Sequence, residues 1–389
     1  MAPSPSIKKR LRIGIDAHAL GSGLGGNETY LRTLLLGLQQ HPEHDYILYV
    51  SHPEATTLAA ALLPAATCHQ VSGSALRRLG LDLSWASRRD HLDLMHLQYV
   101  APLFPGCPIS LLIHDLSYEH TPEWFQPSEV TRFRWTIPRS AAIAKVVLTI
   151  SAYCKADIMK RLRLPSEKVV ITPNALPPFY APAPRESIEA LREKLDLSKH
   201  YILALGNLQP RKNITTLLRA WKAIRNHPEL QNMSLVVTGK KAWLYDEILQ
   251  EAGEAGANEA GGALTERIHF TGYLPEEDLP ALYSGAFLFV YPSLFEGFGL
   301  PPIEAMACGT PVIVGRNSAL PEVCGDAAHY ADVSSHEHLG AAILELALNG
   351  EERLRLSKLG LAQARSFTLE NLTLPTVQSW ERIAKNSSH

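Results

Sequence analysis

Several features that often reveal the class of a protein are absent from this sequence of 389 residues. It contains no CxxC pair and its cysteines are scattered, which excludes a zinc site of that spacing and argues against a disulfide framework. Residues 1–10 are largely polar, and the apolar run that follows covers only 11–15, too short for a membrane span or for the core of a signal peptide. We therefore expect a cytoplasmic protein with free thiols at Cys68, Cys107, Cys154, Cys308 and Cys324.

A charge bias and low-complexity segments are absent as well. The formal net charge is −2, so the overall charge gives no reason to expect nucleic acid as a partner. Hydrophobic residues make up 46% of the sequence, as in globular proteins. Because 389 residues exceed the roughly 100 to 200 residues of one compact domain, two domains are expected.

What the sequence does contain is an alternation of short apolar runs with amphipathic helical stretches, which predicts parallel sheets. Prolines concentrated between 173 and 184 interrupt this alternation and indicate a connection between domains. The sequence predicts an α/β protein of two Rossmann-like parallel-sheet domains facing a central cleft. The N-terminal domain would cover 1–180 and the C-terminal domain 181–366, with a last helix over 367–389 that breaks at Pro375 and packs back on the N-terminal domain.

The predicted strands locate the candidate ligand sites, because ligands bind at the carboxyl ends of strands in open α/β sheets. We predict strands at 11–16, 46–50, 93–97, 110–114, 145–150, 169–172, 201–205, 234–238, 268–270, 287–291 and 312–314. The loop after the first strand, 21–26, is rich in glycine and precedes a helix whose N-terminal N–H groups attract phosphate. Its glycine spacing also matches the dinucleotide fingerprint GxGxxG, and a flexible tight loop is the alternative interpretation.

Polar residues follow two further strands. His114 and Asp115 end a strand of the first domain, where a histidine either faces a ligand or is structural; His96 is interpreted as structural. In the second domain, Arg211 and Lys212 precede a helix that begins near 213. Two adjacent cations there would hold a diphosphate, or would form a solvated basic pair.

The most specific signal is the run from Phe295 to Pro311, FEGFGLPPIEAMACGTP. Its double proline suits the first turn of a helix, so the backbone amides of 297–300 precede a helix N-terminus. Glu296 lies in the loop and Glu304 lies inside the helix, so one carboxylate can accept from a sugar hydroxyl and the other from a ribose. In the next loop, Ser318, Leu320 and Glu322 either touch a nucleotide or cap a helix.

These residues make the sequence resemble the family 4 retaining glycosyltransferases of the GT-B fold. The run from Glu296 to Glu304 and its flanking Gly-Phe-Gly-Leu-Pro and Gly-Thr-Pro-Val segments carry the resemblance. Other motifs occur in the family's order: the glycine loop, His114-Asp115, Arg211-Lys212-Asn213, Thr238-Gly239 and Thr271-Gly272-Tyr273. Within the family, the sequence resembles mannosyltransferases that build bacterial surface polysaccharides. One departure is Asn207, which stands where many relatives have an arginine.

The resemblance implies a role for each candidate residue. The expected catalytic residues are His114 at the reacting sugar, Arg211 and Lys212 at the diphosphate, and Glu296 at the hydroxyls of the donor sugar. The expected donor-binding residues are Gly25 and Gly26 at the phosphates, Asp115 beside the sugar pocket, the amides of Gly297, Phe298, Gly299 and Leu300, and Glu304 at the ribose.

The implied reaction retains the anomeric configuration and needs neither a metal nor a cofactor, since cations and helix N-termini stabilise the departing diphosphate. The sequence has no DxD motif for a metal ion. The donor would be GDP- or UDP-linked, with GDP-mannose favoured, and the acceptor would be a glycan or a lipid-linked hydroxyl bound by loops such as 99–106 and 119–128. A nucleotide-sugar epimerase, a sugar phosphorylase, a non-catalytic sugar-binding protein and a nicotinamide dehydrogenase are the alternatives.

Basic residues and tryptophans of the first domain suggest peripheral contact with the inner membrane surface. A solvated basic face is the alternative interpretation, and the oligomeric state is not predicted. The residues concerned are Lys8, Lys9, Arg10, Arg12, Arg77, Arg78, Arg88, Arg89, Arg132, Arg134 and Arg139, with Trp124 and Trp135 nearby.

Overall fold

The computed structural model describes residues 9–23, 25–241, 245–253 and 267–386, so that Leu24 of the glycine loop lies outside the described residues. The chain divides into two compact units. Unit 1 takes the described residues of 1–120, 125–175 and 368–389, and unit 2 takes those of 121–124 and 176–367.

Unit 1 is built on a parallel sheet that has seven strands within the described residues, in the order β3-β2-β1-β4-β5-β6-β7. Its strands are β1 (Arg12–Asp16), β2 (Asp45–Val50), β3 (Thr67–Gln70), β4 (Leu94–Gln98), β5 (Ile109–Leu112), β6 (Val146–Thr149) and β7 (Val169–Ile171). The direction of winding reverses between β1 and β4, as in a Rossmann fold.

Helices cover the sheet of unit 1. They are α1 (Gly26–Leu38), α2 (Pro53–Leu62), α3 (Ala75–Arg77), α4 (Leu83–Arg89), α5 (Ser117–His120), α6 (Pro127–Ile143), α7 (Ala152–Leu162) and the last helix, α16 (Leu369–Asn386). A π-helical turn, Arg78–Asp82, joins α3 to α4.

The last helix, α16, packs against α1. A β-carbon at Gly37 of α1 would overlap the methyl group of Thr373, so the two helices approach this closely because residue 37 is glycine. Trp380 is fully buried, and its indole N–H donates to Ser110 Oγ in β5 over 3.0 Å. The predicted break at Pro375 is wrong: Pro375 lies inside the helix. Buried side chains before and after the proline, Leu372 and Val377 among them, keep one continuous face on the unit.

Unit 2 repeats the architecture, with six strands within the described residues in the order β10-β9-β8-β11-β12-β13. These are β8 (His200–Leu205), β9 (Met233–Thr238), β10 (Ile268–Gly272), β11 (Leu288–Tyr291), β12 (Val312–Gly315) and β13 (Ala328–Ala331). All their pairings are parallel, and the winding reverses between β8 and β11. The prediction of two Rossmann-like parallel-sheet units is confirmed.

The helices of unit 2 enclose a core around the fully buried Trp221. They are α8 (Arg185–Leu195), α9 (Ile214–Ile224), α10 (Asp246–Ala252), α11 (Leu279–Gly285), α12 (Leu300–Ala307), α13 (Leu320–Cys324), α14 (His336–Leu348) and α15 (Gly350–Ala364). Strands β8, β11 and β12 are apolar at almost every position, because both faces of a parallel sheet are covered.

The structure bears on two further expectations, which concern the cysteines and membrane-spanning segments. The five cysteines are free thiols, as predicted. Among the described helices, none combines the length and the apolar character needed to cross a lipid bilayer.

Candidate active site

Arg211, Lys212 and Glu296 lie together in unit 2, at the carboxyl ends of β8 and β11. These strands are neighbours at the point where the winding reverses, which is where open α/β sheets bind ligands. After β8 the chain makes a short 3-10 turn, Pro210–Lys212, and Asn213, with a φ of 56°, precedes α9. The Asn213 amide donates to the carbonyls of Pro292 (3.2 Å) and Val333 (2.7 Å), which fixes this loop against the end of β11.

The carboxylate of Glu296 is the centre of this cluster. Its Oε2 accepts from Arg211 Nη1 over 2.7 Å, and its Oε1 accepts from Lys212 Nζ over 2.6 Å. Oε1 also accepts from the hydroxyls of Tyr291 (2.8 Å) and Ser293 (2.6 Å). Four donors therefore hold the carboxylate in one orientation.

The electrostatics of the cluster favour an anionic ligand. Burial by itself would raise the pKa of Glu296, but the charges of Arg211 and Lys212 outweigh it and hold that pKa at about 2. Glu296 is therefore ionised at neutral pH, and two cations against one carboxylate leave a net positive charge. The Arg211 side chain keeps 21% of its surface exposed, so the positive charge is accessible from solvent.

Glu304 lies on helix α12, whose start follows the predicted pattern. Gly299, with a φ of 103°, precedes the helix, and Pro301 and Pro302 occupy its first turn. A β-carbon at Gly299 would press against Leu320, so glycine suits both the backbone angle and the space. Phe298, just before it, is buried edge-on against Phe367 (5.4 Å between ring centroids), which fixes the loop of backbone amides 297–300.

The environment of Glu304 differs from that of Glu296. The Tyr283 hydroxyl donates to Glu304 Oε2 over 2.8 Å, and Tyr180 also hydrogen-bonds to this carboxyl group. Burial raises the pKa of Glu304 to about 7, and the hydrogen bonds from the two tyrosines only partly oppose this effect. Glu304 can thus carry a proton near neutral pH, whereas Glu296 cannot.

Ser318 has a role that neither sequence interpretation included. Its hydroxyl accepts from the backbone N–H of Glu296 over 2.9 Å, and its φ of 47° places it in the left-handed region. Helix α13 begins at Leu320 without a side-chain cap, so Ser318 does not cap it. Instead, Ser318 fixes the backbone that carries the Glu296 carboxylate.

In unit 1, His114 follows β5 and is buried beside the end of β4. Its Nε2 lies 2.7 Å from Gln98 Oε1, and its ring lies against those of Tyr30 and Tyr99 at 5.4 and 5.5 Å between centroids. Burial lowers the pKa of His114 to about 4, so the ring is neutral at physiological pH. Asp115 accepts from the backbone N–H of Ser117 over 2.8 Å, which places it at the start of α5.

His96 has both ring nitrogens within hydrogen-bond distance of buried neighbours. Its Nε2 lies 3.0 Å from the Tyr30 hydroxyl, and its Nδ1 lies 3.1 Å from Ser110 Oγ. These contacts support the interpretation of His96 as a structural histidine.

The glycine loop of unit 1 is organised by Glu28 of helix α1. The Glu28 carboxylate accepts from the N–H groups of Gly21 (3.1 Å) and Gly23 (2.7 Å). A dinucleotide phosphate would need such donors, so their use by Glu28 argues against the dinucleotide interpretation. Gly25 and Gly26 lie at the helix N-terminus, and a β-carbon at either would meet nothing within 4 Å, so the loop is open there.

Sequence reasoning missed the hydrogen-bond partners of the candidate residues. Some of these partners could have been found, because they lie at or just after the carboxyl ends of predicted strands. Tyr291 ends a predicted strand and Ser293 follows it by two positions, while Gln98 directly follows another predicted strand. Tyr283 gives no comparable signal, because it lies inside helix α11 and reaches Glu304 only through packing.

The chain matches known families over most of its length. A family model described as Glycosyl transferases group 1 matches residues 187–362, and one described as Glycosyltransferase Family 4 matches residues 24–178. The chain is 35% identical over 271 residues to O-antigen chain mannosyltransferase B of Escherichia coli, covering 69% of each chain.

Two further comparisons define the extent of the similarity. The chain is 32% identical over 252 residues to serotype-specific mannosyltransferase WbdA of Escherichia coli, covering 63% of this chain but only 29% of WbdA. Among solved structures, sucrose-phosphate synthase from Thermosynechococcus elongatus has a TM-score of 0.74 at 18% identity, over 97% of this chain and 100% of that one. This likeness shows the fold.

Proposed function

Since the chain belongs to the group 1 glycosyl transferases, we propose that it is a mannosyltransferase that transfers mannose from GDP-mannose to a glycan or lipid-linked hydroxyl in polysaccharide biosynthesis. The observation that carries the proposal is the buried Glu296 held by Arg211 and Lys212, followed by Glu304 in α12. The choice of mannose is supported by similar proteins that bear the name mannosyltransferase.

The proposed donor site uses the net positive charge beside Glu296. Arg211 and Lys212 would bind the diphosphate and stabilise the negative charge that develops on it as it leaves. Oε2 of Glu296 accepts from Arg211, whereas Oε1 accepts from three donors, so Oε2 is the better placed acceptor for a hydroxyl of the donor sugar. Glu304 would accept from the ribose.

We propose that transfer retains the anomeric configuration and uses no metal ion. The bond between C1 of the sugar and the diphosphate oxygen breaks, a bond from C1 to the acceptor oxygen forms on the same face, and the acceptor proton passes to the departing phosphate. Arg211 and Lys212 would supply the positive charge that a metal ion provides in other transferases. His114, neutral because it is buried, would contact the reacting sugar.

A thermal-shift panel tests the donor assignment. GDP, UDP, ADP and their sugar conjugates are added to the wild type and to Glu304→Ala, because a ligand that binds the native state raises its stability. GDP and GDP-mannose are expected to stabilise the wild type, and the variant is expected to lose most of the shift. Stabilisation by UDP or ADP alone would contradict the donor, and stabilisation by a nicotinamide cofactor alone would contradict the proposed function.

Product analysis tests the reaction. With GDP-mannose and a mannose-containing oligosaccharide, we expect a lengthened glycan whose new linkage keeps the configuration of the donor, at a rate unchanged by a chelator. Release of mannose 1-phosphate from a glycoside would instead indicate a phosphorylase. Conversion of the donor without any acceptor would indicate an epimerase.

A further inference from the structure

Tyr283 is a fully buried side chain of unit 2 whose hydroxyl reaches the carboxyl group of Glu304. It lies in α11, and its O–H donates to Glu304 Oε2 over 2.8 Å. Burial holds the pKa of the Tyr283 hydroxyl well above its ordinary value of 10. The hydroxyl therefore keeps its proton and acts as a donor at neutral and mildly alkaline pH.

The position of this hydroxyl is fixed by the packing of the Tyr283 ring and backbone. The ring lies edge-on to Phe289 of β11 at 5.3 Å between centroids. The backbone carbonyl of Tyr283 accepts from Thr310 Oγ1 over 2.6 Å, and the N–H of Thr310 donates to Ala305 O of α12 over 3.0 Å. Tyr283 is thereby tied to the helix that carries Glu304, which keeps its hydroxyl directed at the carboxyl group.

The groups around Glu304 have opposing effects on its ionisation. Burial has the largest effect and raises the pKa of Glu304, and the hydrogen bond from Tyr283 opposes it more strongly than any other group does. The charge of Glu276, in the turn before α11, raises this pKa further, whereas the charge of Lys212 lowers it. The titratable and charged groups that face Glu304 from the surrounding elements are Tyr180, Lys212, Glu276, Tyr283, Tyr291 and Cys308.

We propose that Tyr283 is a positioning residue for the nucleotide donor, because its hydroxyl orients the Glu304 carboxylate and favours the ionised form that the ribose hydroxyls bind. An ionised carboxylate accepts hydrogen bonds on both oxygens, whereas a protonated carboxyl group uses one oxygen as a donor. Since Tyr283 is fully buried, it acts on the donor only through Glu304. The inference rests on the proposed function, in which Glu304 accepts from the ribose of the donor.

Isothermal titration calorimetry with GDP between pH 7 and pH 8.5 tests the proposal on the full chain. Tyr283→Phe removes only the hydroxyl, so a smaller fraction of Glu304 is ionised at pH 7. The Kd for GDP is expected to rise about fivefold there relative to the wild type. At pH 8.5, where Glu304 is largely ionised in both proteins, the two Kd values are expected to agree within about twofold.

Tyr201→Phe is the matched control. Tyr201 is also buried, and its hydroxyl donates over 2.6 Å to the carbonyl of Leu282, the residue next to Tyr283. The variant thus loses a buried hydroxyl that contacts the same helix, but no hydrogen bond to Glu304. Its Kd for GDP at pH 7 is expected to stay within about twofold of the wild-type value.

Steady-state transfer from GDP-mannose separates positioning from chemistry. Tyr283→Phe is expected to raise the KM for the donor at pH 7 while kcat stays within about twofold, because the lost hydroxyl contributes to binding of the donor and not to the reacting atoms. In Glu304→Gln, whose amide does not ionise, the raised KM is expected to persist at pH 8.5.

A second tyrosine variant keeps the test available if Tyr283→Phe does not fold. Tyr180 also hydrogen-bonds to Glu304, and its hydrogen bond lowers the pKa of that carboxyl group by less than that of Tyr283. Tyr180→Phe is therefore expected to weaken GDP binding at pH 7 in the same direction and by a smaller factor, with recovery at pH 8.5. Thermal unfolding midpoints identify the variants that fold.

Two results would overturn the inference alone: a ratio of variant to wild-type Kd that is the same at pH 7 and pH 8.5, or an equal loss of affinity in Tyr201→Phe. Because GDP, UDP and ADP share the ribose, UDP or ADP replaces GDP in the titration if the thermal-shift panel identifies it as the ligand. A wrong base therefore leaves the inference testable. If none of the three nucleotides binds the wild type, the proposed function fails and the inference fails with it.

Discussion

Replacing Glu296 by glutamine is expected to destabilise unit 2 by about 3 kcal/mol at neutral pH. The substitution keeps the size of the side chain but removes the charge that offsets Arg211 and Lys212. The pKa of Glu296 lies at about 2 against an ordinary value of 4.5, and roughly 1.4 kcal/mol for each pK gives this magnitude. Removing one partner of a buried ion pair typically costs a similar amount, roughly 3 to 5 kcal/mol.

The sign of the pH dependence follows from the lowered pKa. The stabilisation by Glu296 is fully present above the unfolded-state pKa, near 4.5, and is lost as the pH falls toward about 2. The difference between wild type and Glu296→Gln should therefore be constant from neutral pH down to about pH 5 and shrink below it.

Hydrogen exchange read by mass spectrometry at increasing urea concentration measures this effect in unit 2 alone, through peptides that cover β8, β9 and β11. Glu352→Gln is the control, because Glu352 makes a bidentate pair with Arg355 at the surface and should matter little. Adding Arg211→Met to Glu296→Gln should recover part of the loss, since it removes an uncompensated cation. A loss below about 1 kcal/mol in Glu296→Gln would refute the electrostatic reasoning.

Three further predictions follow from single positions. Because the pKa of Glu304 is raised to about 7, the protein should become less stable as the pH rises from about 4.5 to 7. Glu304→Gln should therefore raise the thermal unfolding midpoint at pH 8 and remove this pH dependence, while it weakens nucleotide binding. A pH profile of stability that is the same in the variant and the wild type would contradict the raised pKa. Gly239→Ala should destabilise unit 2 by at least about 2 kcal/mol in the same hydrogen-exchange experiment, because residue 239 has a φ of 151° and a β-carbon there would overlap the Gly206 carbonyl. Gly350→Ala is the control and should be tolerated, since a β-carbon at residue 350 would make only ordinary van der Waals contacts. Pro375→Ala should raise the thermal unfolding midpoint, because it restores a backbone N–H group inside α16 and removes the cost of about 3 kcal/mol that proline has in a helix interior. A lower midpoint would contradict this and would mean that packing of the Pro375 ring stabilises the protein by more than that cost.

Much of the fold was predictable because its signals are local. The buried strands β1, β8 and β11 are short apolar runs, and the starts of α9 and α12 are indicated by Asn213 and the prolines at 301 and 302. Strands β3 and β13 were not predicted. They lie at sheet edges, and β3, Thr-Cys-His-Gln, has no apolar run because its side chains are only partly buried.

Some expectations stay predictions. They include the cytoplasmic location, a reaction that needs neither metal nor cofactor, the identity of the acceptor, and the roles of the two domains over 1–180 and 181–366. The roles assigned to the individual site residues are proposals that the experiments above address.

The sequence by itself determined the family, the two parallel-sheet units and the three charged residues of the main cluster, Arg211, Lys212 and Glu296, because local motifs encode these. Only the tertiary structure brought Arg211 and Lys212 to Glu296, 85 and 84 positions away, because the order of strands places β11 beside β8. It also decided the opposite behaviour of two similar carboxyl groups. Glu296 is paired with two cations, whose charges lower its pKa despite its burial. Glu304 is buried beside two tyrosines, whose hydrogen bonds only partly offset the rise in its pKa that burial causes.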